Sequence, residues 1–253
     1  MDAPPPEPFF ILARQFAIDL PGARVMFTTR RGGVSTGPYS SFNLGLMTDD
    51  VPAAIRENRR RLEEQPGAPV SFVRQVHGAS VLSTSSAEAA KRRTAAPGGL
   101  PEADGQLTVE PGCALAALTA DCLPVAVAGA GGVAMLHAGW RGLAGGILER
   151  GVEALRALGV SGPLSAAIGP GAGPCCYEVG PEVHSVFAEG PVRPQRGAKL
   201  DLPGIAAERL RRAGVAEVHD IGLCTICSDP GLFFSHRRER GLTGRQAGVA
   251  WLT

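Results

Sequence analysis

The chain of 253 residues has no apolar stretch approaching the ~20 residues a membrane-spanning helix needs. Its first eight residues, MDAPPPEP, lack the basic-then-apolar order of a secretory signal. Blocks of like charge are missing too, and the net charge is +1, so neither a nucleic-acid face nor a membrane-binding face is expected. Aromatic residues are sparse (5%), while 34 glycines and 21 prolines mark a turn-rich chain. Six scattered cysteines without a secretory pattern read as reduced thiols of a cytoplasmic protein, not as a disulfide frame. What remains is an ordinary globular composition, 44% hydrophobic and 19% charged, long enough for one large core.

Residues 1–8 form a Pro-rich tail expected to be disordered, and 9–253 a single domain with no linker. Strands are expected at 25–29, 70–77 and 107–117, then at 164–168, 218–223, 232–235 and 247–252. Helices are expected at 52–64, 143–155, 181–187 and 203–213, and residues 83–100 read as a surface loop with one helical turn at most. Strands and helices mix without a βαβ rhythm, which gives a mixed α/β class.

The most informative stretch runs from Leu118 to Ile147. An apolar run breaks at Thr119-Ala120-Asp121-Cys122, resumes at 123–128, turns at Gly129-Ala130-Gly131-Gly132 and returns at 133–137. Two apolar runs about a Gly-rich turn read as a β-hairpin. With paired positions summing to 259, Cys122 lies opposite His137; with the turn centred at 130.5 they are diagonal neighbours. Either register puts both side chains on one face, because side chains alternate along a strand. A thiol and an imidazole at the open end of a hairpin suit a transition metal or a Cys/His catalytic pair. His77, ending a strand before Gly78, supplies a third donor, and three His/Cys ligands with an open fourth position match catalytic zinc.

Other residues carry weaker signals. Asp121 sits at the strand break, where it can orient a ligand histidine, act as a base or cap a turn. Arg141 stands just before a helix start and is a candidate anion contact, as are Arg30, Arg31, Arg237, Arg238 and Arg245. Cys175-Cys176 follows a Gly/Pro-rich turn. Cys224-x-x-Cys227 has half-site spacing but no second CxxC, so small buried hydrophobes are the favoured reading.

The motifs QVHGASV (75–81), ADGQLT (103–108), LTADCLPV (118–125) and HAGWRGL (137–143) occur in order. They are followed by IGPGAGPCCYEVG (168–180) and FFSHRRERGLTGRQAGVAWL (233–252), and TTRRGGVSTGPYSSFNLG (28–45) precedes them. Together they resemble the YfiH-type proteins, the laccase-domain or "polyphenol oxidase" family, now described as purine nucleoside phosphorylases. The resemblance spans about Val25 to Trp251. It implies an α/β/β/α sandwich with mixed sheets and zinc on His77, Cys122 and His137. The implied activity is phosphorolysis of adenosine, inosine and methylthioadenosine, with adenosine deamination as a second activity.

Two departures from the family pattern stand out: His236 where a tyrosine is expected before the arginine pair, and the 83–100 stretch. In this reading zinc and Arg141 hold phosphate, while Asn43 and Gln75 place the nucleoside. Three alternatives stand beside it: a copper-dependent polyphenol oxidase, a metal-free hydrolase with Cys122 as nucleophile and His137 as base, and a cell-wall precursor quality-control factor. The first suffers from the five histidines and the absence of a His-x-His pair, too few for a multicopper centre.

Overall fold

The computed structural model describes residues 4–188, 195–196 and 199–253. In chain order the first strands are β1 (Phe10–Leu12), β2 (Gln15–Leu20), β3 (Ala23–Phe27), β4 (Val70–Ser71), β5 (Val81–Ser83) and β6 (Gly105–Thr108). Then come β7 (Ala114–Thr119), β8 (Leu123–Ala130), β9 (Gly132–Ala138) and β10 (Ser161–Ile168). The last are β11 (Gln195–Arg196), β12 (Lys199–Leu200), β13 (Val215–Asp220) and β14 (Gln246–Leu252). The helices are α1 (Pro52–Glu63), α2 (Ser86–Arg92), α3 (Trp140–Ala144), α4 (Ile147–Ala157), α5 (Pro181–Phe187) and α6 (Leu202–Arg212).

Two six-stranded sheets stack on each other. One has the order β1-β2-β3-β14-β7-β4, the other β13-β10-β8-β9-β6-β5. Both are mixed: β4 runs parallel to β7 in the first, while β10–β13 and β5–β6 are the parallel pairs of the second. Phe16, Phe27, Val133, Met135 and Ala167 fill the space between the sheets. The outer face of the first sheet packs Met26, Trp251 and Phe72 against Leu62 of α1. The outer face of the second packs Leu136 and Leu164 against α4 and α6. The layers are therefore α/β/β/α.

The sheets approach closely at Gly248, where a Cβ would lie 2.6 Å from Pro124 and 2.9 Å from the Met135 sulfur. On α4 the buried residues Ile147, Leu148, Val152 and Leu155 share one stripe. Each such side chain contributes roughly 1.5–3 kcal/mol when taken out of water.

Several elements depart from the sequence expectation, each for a local reason. The first two strands escape it altogether. The strand expected over 70–77 stops at Ser71, because the amides of Val76, His77 and Gly78 turn onto the Asp104 carboxylate instead of a neighbouring strand. The helix expected over 143–155 is two helices, broken at Gly146, whose φ of 83° is left-handed. Residues 232–235 are not a strand: Gln246 bonds both the N–H and the C=O of Phe234 through its side-chain amide, in place of a ladder. The 83–100 stretch holds α2, whose start is a capping box formed by Ser85 and Glu88, an S-x-x-E signal present in the sequence. Of the tail expected at 1–8, residues 1–3 lie outside the described residues.

Among the described residues no helix is long and apolar enough to cross a membrane.

Candidate active site

The β8–β9 hairpin takes the second of the two possible registers. Pro124 pairs with His137 and Gly129 with Gly132, so paired positions sum to 261 and Cys122 is the diagonal neighbour of His137. The turn sits at Ala130-Gly131, with Gly131 at φ 83°. Alternation sends Leu123, Val125 and Val127 to the helix-covered core and Ala126 and Ala128 between the sheets. Cys122 and His137 share the parity of the second group, so both reach the inter-sheet side at the hairpin's open end.

Extending that register places Gly139 opposite Cys122. A Cβ there would lie 2.7 Å from the Cys122 sulfur and 3.6 Å from the His77 ring, so only glycine leaves the thiol its place. Gly139→Ala is therefore expected to displace the thiol and weaken metal binding by an order of magnitude or more. Competition with a chromogenic chelator would measure this; unchanged affinity would mean the thiol position is not critical.

His77 arrives from the other side, on the turn after β4. Its φ of 60° is left-handed, an uncommon state for a non-glycine residue. The turn is held by Asp104, just before β6. The carboxylate accepts the backbone N–H groups of Val76 (3.2 Å), His77 (2.9 Å) and Gly78 (2.6 Å). Its Oδ1 also lies 2.8 Å from Nδ1 of His137. Asp104 thus fixes the backbone of one histidine and the ring of the other. Burial pushes its pKa up, but the His137 hydrogen bond and charge and the backbone amides outweigh this and hold it below the usual carboxylate range.

The donor atoms of His77, Cys122 and His137 all lie within 4.8 Å of one another, and the two imidazoles meet edge to face at 4.9 Å between centroids. Burial alone would raise the Cys122 pKa; the charge and hydrogen bond of His137, with His77 beside it, bring it down to about 6. Burial would lower that of His137, and the Cys122 thiolate and Asp104 lift it to about 9. These groups fit a zinc ion: one thiolate, two imidazoles, a carboxylate orienting a ligand ring, and an open side facing a cavity.

That cavity, about 510 Å³, is within the size range of small-molecule sites. Among the described residues its walls carry Arg59, Arg74, Arg141, Arg237 and Arg245 and one carboxylate, Asp121, while Arg74 is paired with Glu102. Arg141 lies over the Trp140 ring (4.3 Å) and, among the described residues, has no carboxylate or carbonyl partner. It sits inside α3, a helix of five residues, so its case as an anion contact rests on its guanidinium and not on helix-start amides. Arg59 was not singled out by sequence. It is buried on the Phe72 ring (3.6 Å) with Nε bonded to Leu44 O (2.9 Å), and its Nη1 has no partner among the described residues.

The remaining candidates separate clearly. Asp121 has a left-handed φ of 92° in the strand break; its carboxylate accepts the Thr225 hydroxyl (2.7 Å) and the Arg237 N–H (2.7 Å). The task of orienting a ligand histidine belongs to Asp104 instead. Gln75 lines the cavity, but both ends of its amide are bound to the Leu118 backbone at 2.8 Å. Asn43 is fully buried behind the cavity. Its side chain bonds Thr48, Asp50 and the N–H groups of Gly45 and Arg245.

Arg30, Arg31 and Arg238 serve the scaffold: Arg30 pairs with Glu239 (2.8 Å), Arg31 with Asp229 (2.9 Å), and Arg238 caps the Thr225 and Phe233 carbonyls. His236 lines the cavity. Asp104 lies in the ADGQLT stretch, and its role comes from contacts with a turn and a ring that are distant in sequence.

A mixed α/β/β/α sandwich carrying a Cys/His₂ cluster in an arginine-lined cavity defines the class. The chain belongs to the family described as "Multi-copper polyphenol oxidoreductase laccase", whose model matches residues 24–253. A Xylella fastidiosa protein named purine nucleoside phosphorylase is 42% identical, over 92% of this chain and 93% of its own. The Escherichia coli purine nucleoside phosphorylase YfiH is 37% identical, over 91% and 94%. The crystal structure of YlmD from Geobacillus stearothermophilus superposes with a TM-score of 0.89 at 34% identity, covering 98% of this chain and 99% of that one.

Proposed function

We propose that the chain is a zinc-dependent purine nucleoside phosphorylase acting on adenosine, inosine and methylthioadenosine, with adenosine deamination as a second activity. The observation that carries this reading is the meeting of the His77–Cys122–His137 cluster and five arginines in one cavity with room for a nucleoside and an anion. The names of the relatives supply the substrate class. His77, Cys122 and His137 would hold the zinc, which when bound supplies Lewis acidity toward an oxygen of phosphate or water.

The protein's own groups do the rest. Asp104 keeps the His137 ring in one tautomer, with its other nitrogen toward the site. Arg141 and Arg59 offer guanidinium donors to a phosphate, which they bind as charge-assisted forks. In phosphorolysis a phosphate oxygen bonds to C1′ of the ribose while the C1′–N9 bond breaks. The electron pair leaves with the purine, which takes up a proton. Cationic walls favour the phosphate and hold it against C1′, the larger part of such catalysis. Gln75 and Asn43 act through others, fixing the Leu118 backbone and Arg245.

Incubation with adenosine and phosphate should yield adenine and ribose 1-phosphate, read by chromatography. Inosine as the sole purine product would move the main activity to deamination, whereas hypoxanthine would require both reactions. Arg141→Ala is expected to raise the phosphate KM about tenfold, from loss of a charge-assisted bond, with the nucleoside KM little changed. An unchanged phosphate KM would take Arg141 out of that role. The Asp104–His137–Cys122 line also matches a cysteine hydrolase; protein without metal and without phosphorolysis would favour that reading.

A further inference from the structure

The second cluster of thiols lies outside the cavity. Cys175 and Cys176 sit in the loop after β10, Cys224 and Cys227 in the loop after β13, and all four sulfurs lie within 4.8 Å of one another. The Cys175 and Cys227 sulfurs are 3.5 Å apart. A tetrahedral zinc with Zn–S bonds of ~2.3 Å has sulfur–sulfur edges of ~3.8 Å. Cys175 and Cys227 are exposed, which does not suit small hydrophobes of a core.

The loops are shaped around thiolates. The Gly173 N–H donates to the Cys224 sulfur (3.3 Å). Cationic groups stand close by: Lys199 Nζ is 2.6 Å from Cys175 O, and the Arg238 guanidinium is 2.5 Å from Thr225 O. They offset the net −2 charge that four thiolates leave on a bound Zn²⁺. Two segments far apart in sequence are brought together by the parallel β10–β13 pair, with a further bridge between Gly171 and Cys224.

We propose that Cys175, Cys176, Cys224 and Cys227 form a second, structural zinc site of tetrathiolate type. It fastens the loop that carries Tyr177 to the loop that carries Thr225. Tyr177 lines the cavity and Thr225 holds Asp121, so the clamp stiffens one wall of the site. The half-site spacing of Cys224-x-x-Cys227 finds its other half in an adjacent cysteine pair.

The test is zinc content of the full-length protein by inductively coupled plasma mass spectrometry, after dialysis against a weak chelator. Wild type should hold about two zinc ions per chain, Cys227→Ser and Cys122→Ala about one each, and the double variant none. Reconstitution with cobalt should give tetrathiolate visible bands and sulfur-to-cobalt charge transfer that persist in Cys122→Ala. This second readout stands if Cys227→Ser fails to fold.

One zinc per chain in wild type and none in Cys122→Ala would overturn the proposal, as would a non-reduced mass two hydrogens lighter, from a Cys175–Cys227 disulfide. Iron in place of zinc would also overturn it. Zinc lost in Cys227→Ser but unaffected in Cys122→Ala would support the clamp while removing the metal from the active-site reading.

Discussion

Cys122→Ala is expected to bring phosphorolysis to background, with a loss of more than ~100-fold, the upper end of what loss of a mere outer-shell partner costs. The thiolate is one of three donors, and among the described residues no other cysteine joins its cluster: Cys113 is buried before β7, and the other four thiols form the second cluster. Folding should survive the change. The β8–β9 pairing starts at Leu123, and alanine fills the space left opposite Gly139 without a clash. The check combines turnover of adenosine with phosphate, zinc content and thermal unfolding of the same preparation. Near-normal turnover in a zinc-free, folded variant would remove the metal from the reaction.

Asp104→Asn should weaken metal binding and turnover by roughly 10–100-fold while leaving the protein folded. The asparagine oxygen, in the place of Oδ2, still accepts the Val76 and Gly78 N–H groups, while the His77 N–H loses its acceptor at the Oδ1 place. Its NH₂ cannot accept from His137 Nδ1–H, so the ring loses both its preferred tautomer and its orientation. Asp104→Ala adds a stability cost of about 3 kcal/mol or more, because three backbone donors and the imidazole then lose their acceptor. Chelator competition and thermal unfolding separate the two effects: the asparagine variant should lose affinity with a small fall in Tm, the alanine variant should lose affinity with a much larger one. Equal metal affinity in wild type and the asparagine variant would assign Asp104 a role in the turn alone.

The second of these predictions rests on a residue that local sequence signals do not reveal. Asp104 gains its importance from β6 lying beside β9, which puts one carboxylate between a turn and a ring 33 residues away. Arg59 is similar: on α1 it reads as one of three consecutive arginines, two of which form exposed pairs with Glu57, and only packing on Phe72 turns the third inward. Conversely, Asn43 and Gln75 carry polar ends suited to a ligand, but their hydrogen-bonding capacity is taken up by neighbouring backbone and side chains. A side chain's free valences depend on what surrounds it, which sequence order does not specify.

The hairpin, the common face of Cys122 and His137, the mixed α/β class and the main helices are legible in the residue order. These follow from periods of two and 3.6 residues and from glycine at turns, all local properties. The register, the arrival of His77 on a left-handed turn, the arginines that face the cavity and the meeting of four cysteines emerge from the packed fold. Apart from the register, each of these joins segments tens of residues apart. Their contacts depend on how two sheets and their covering helices pack, and on which buried polar groups must then find partners.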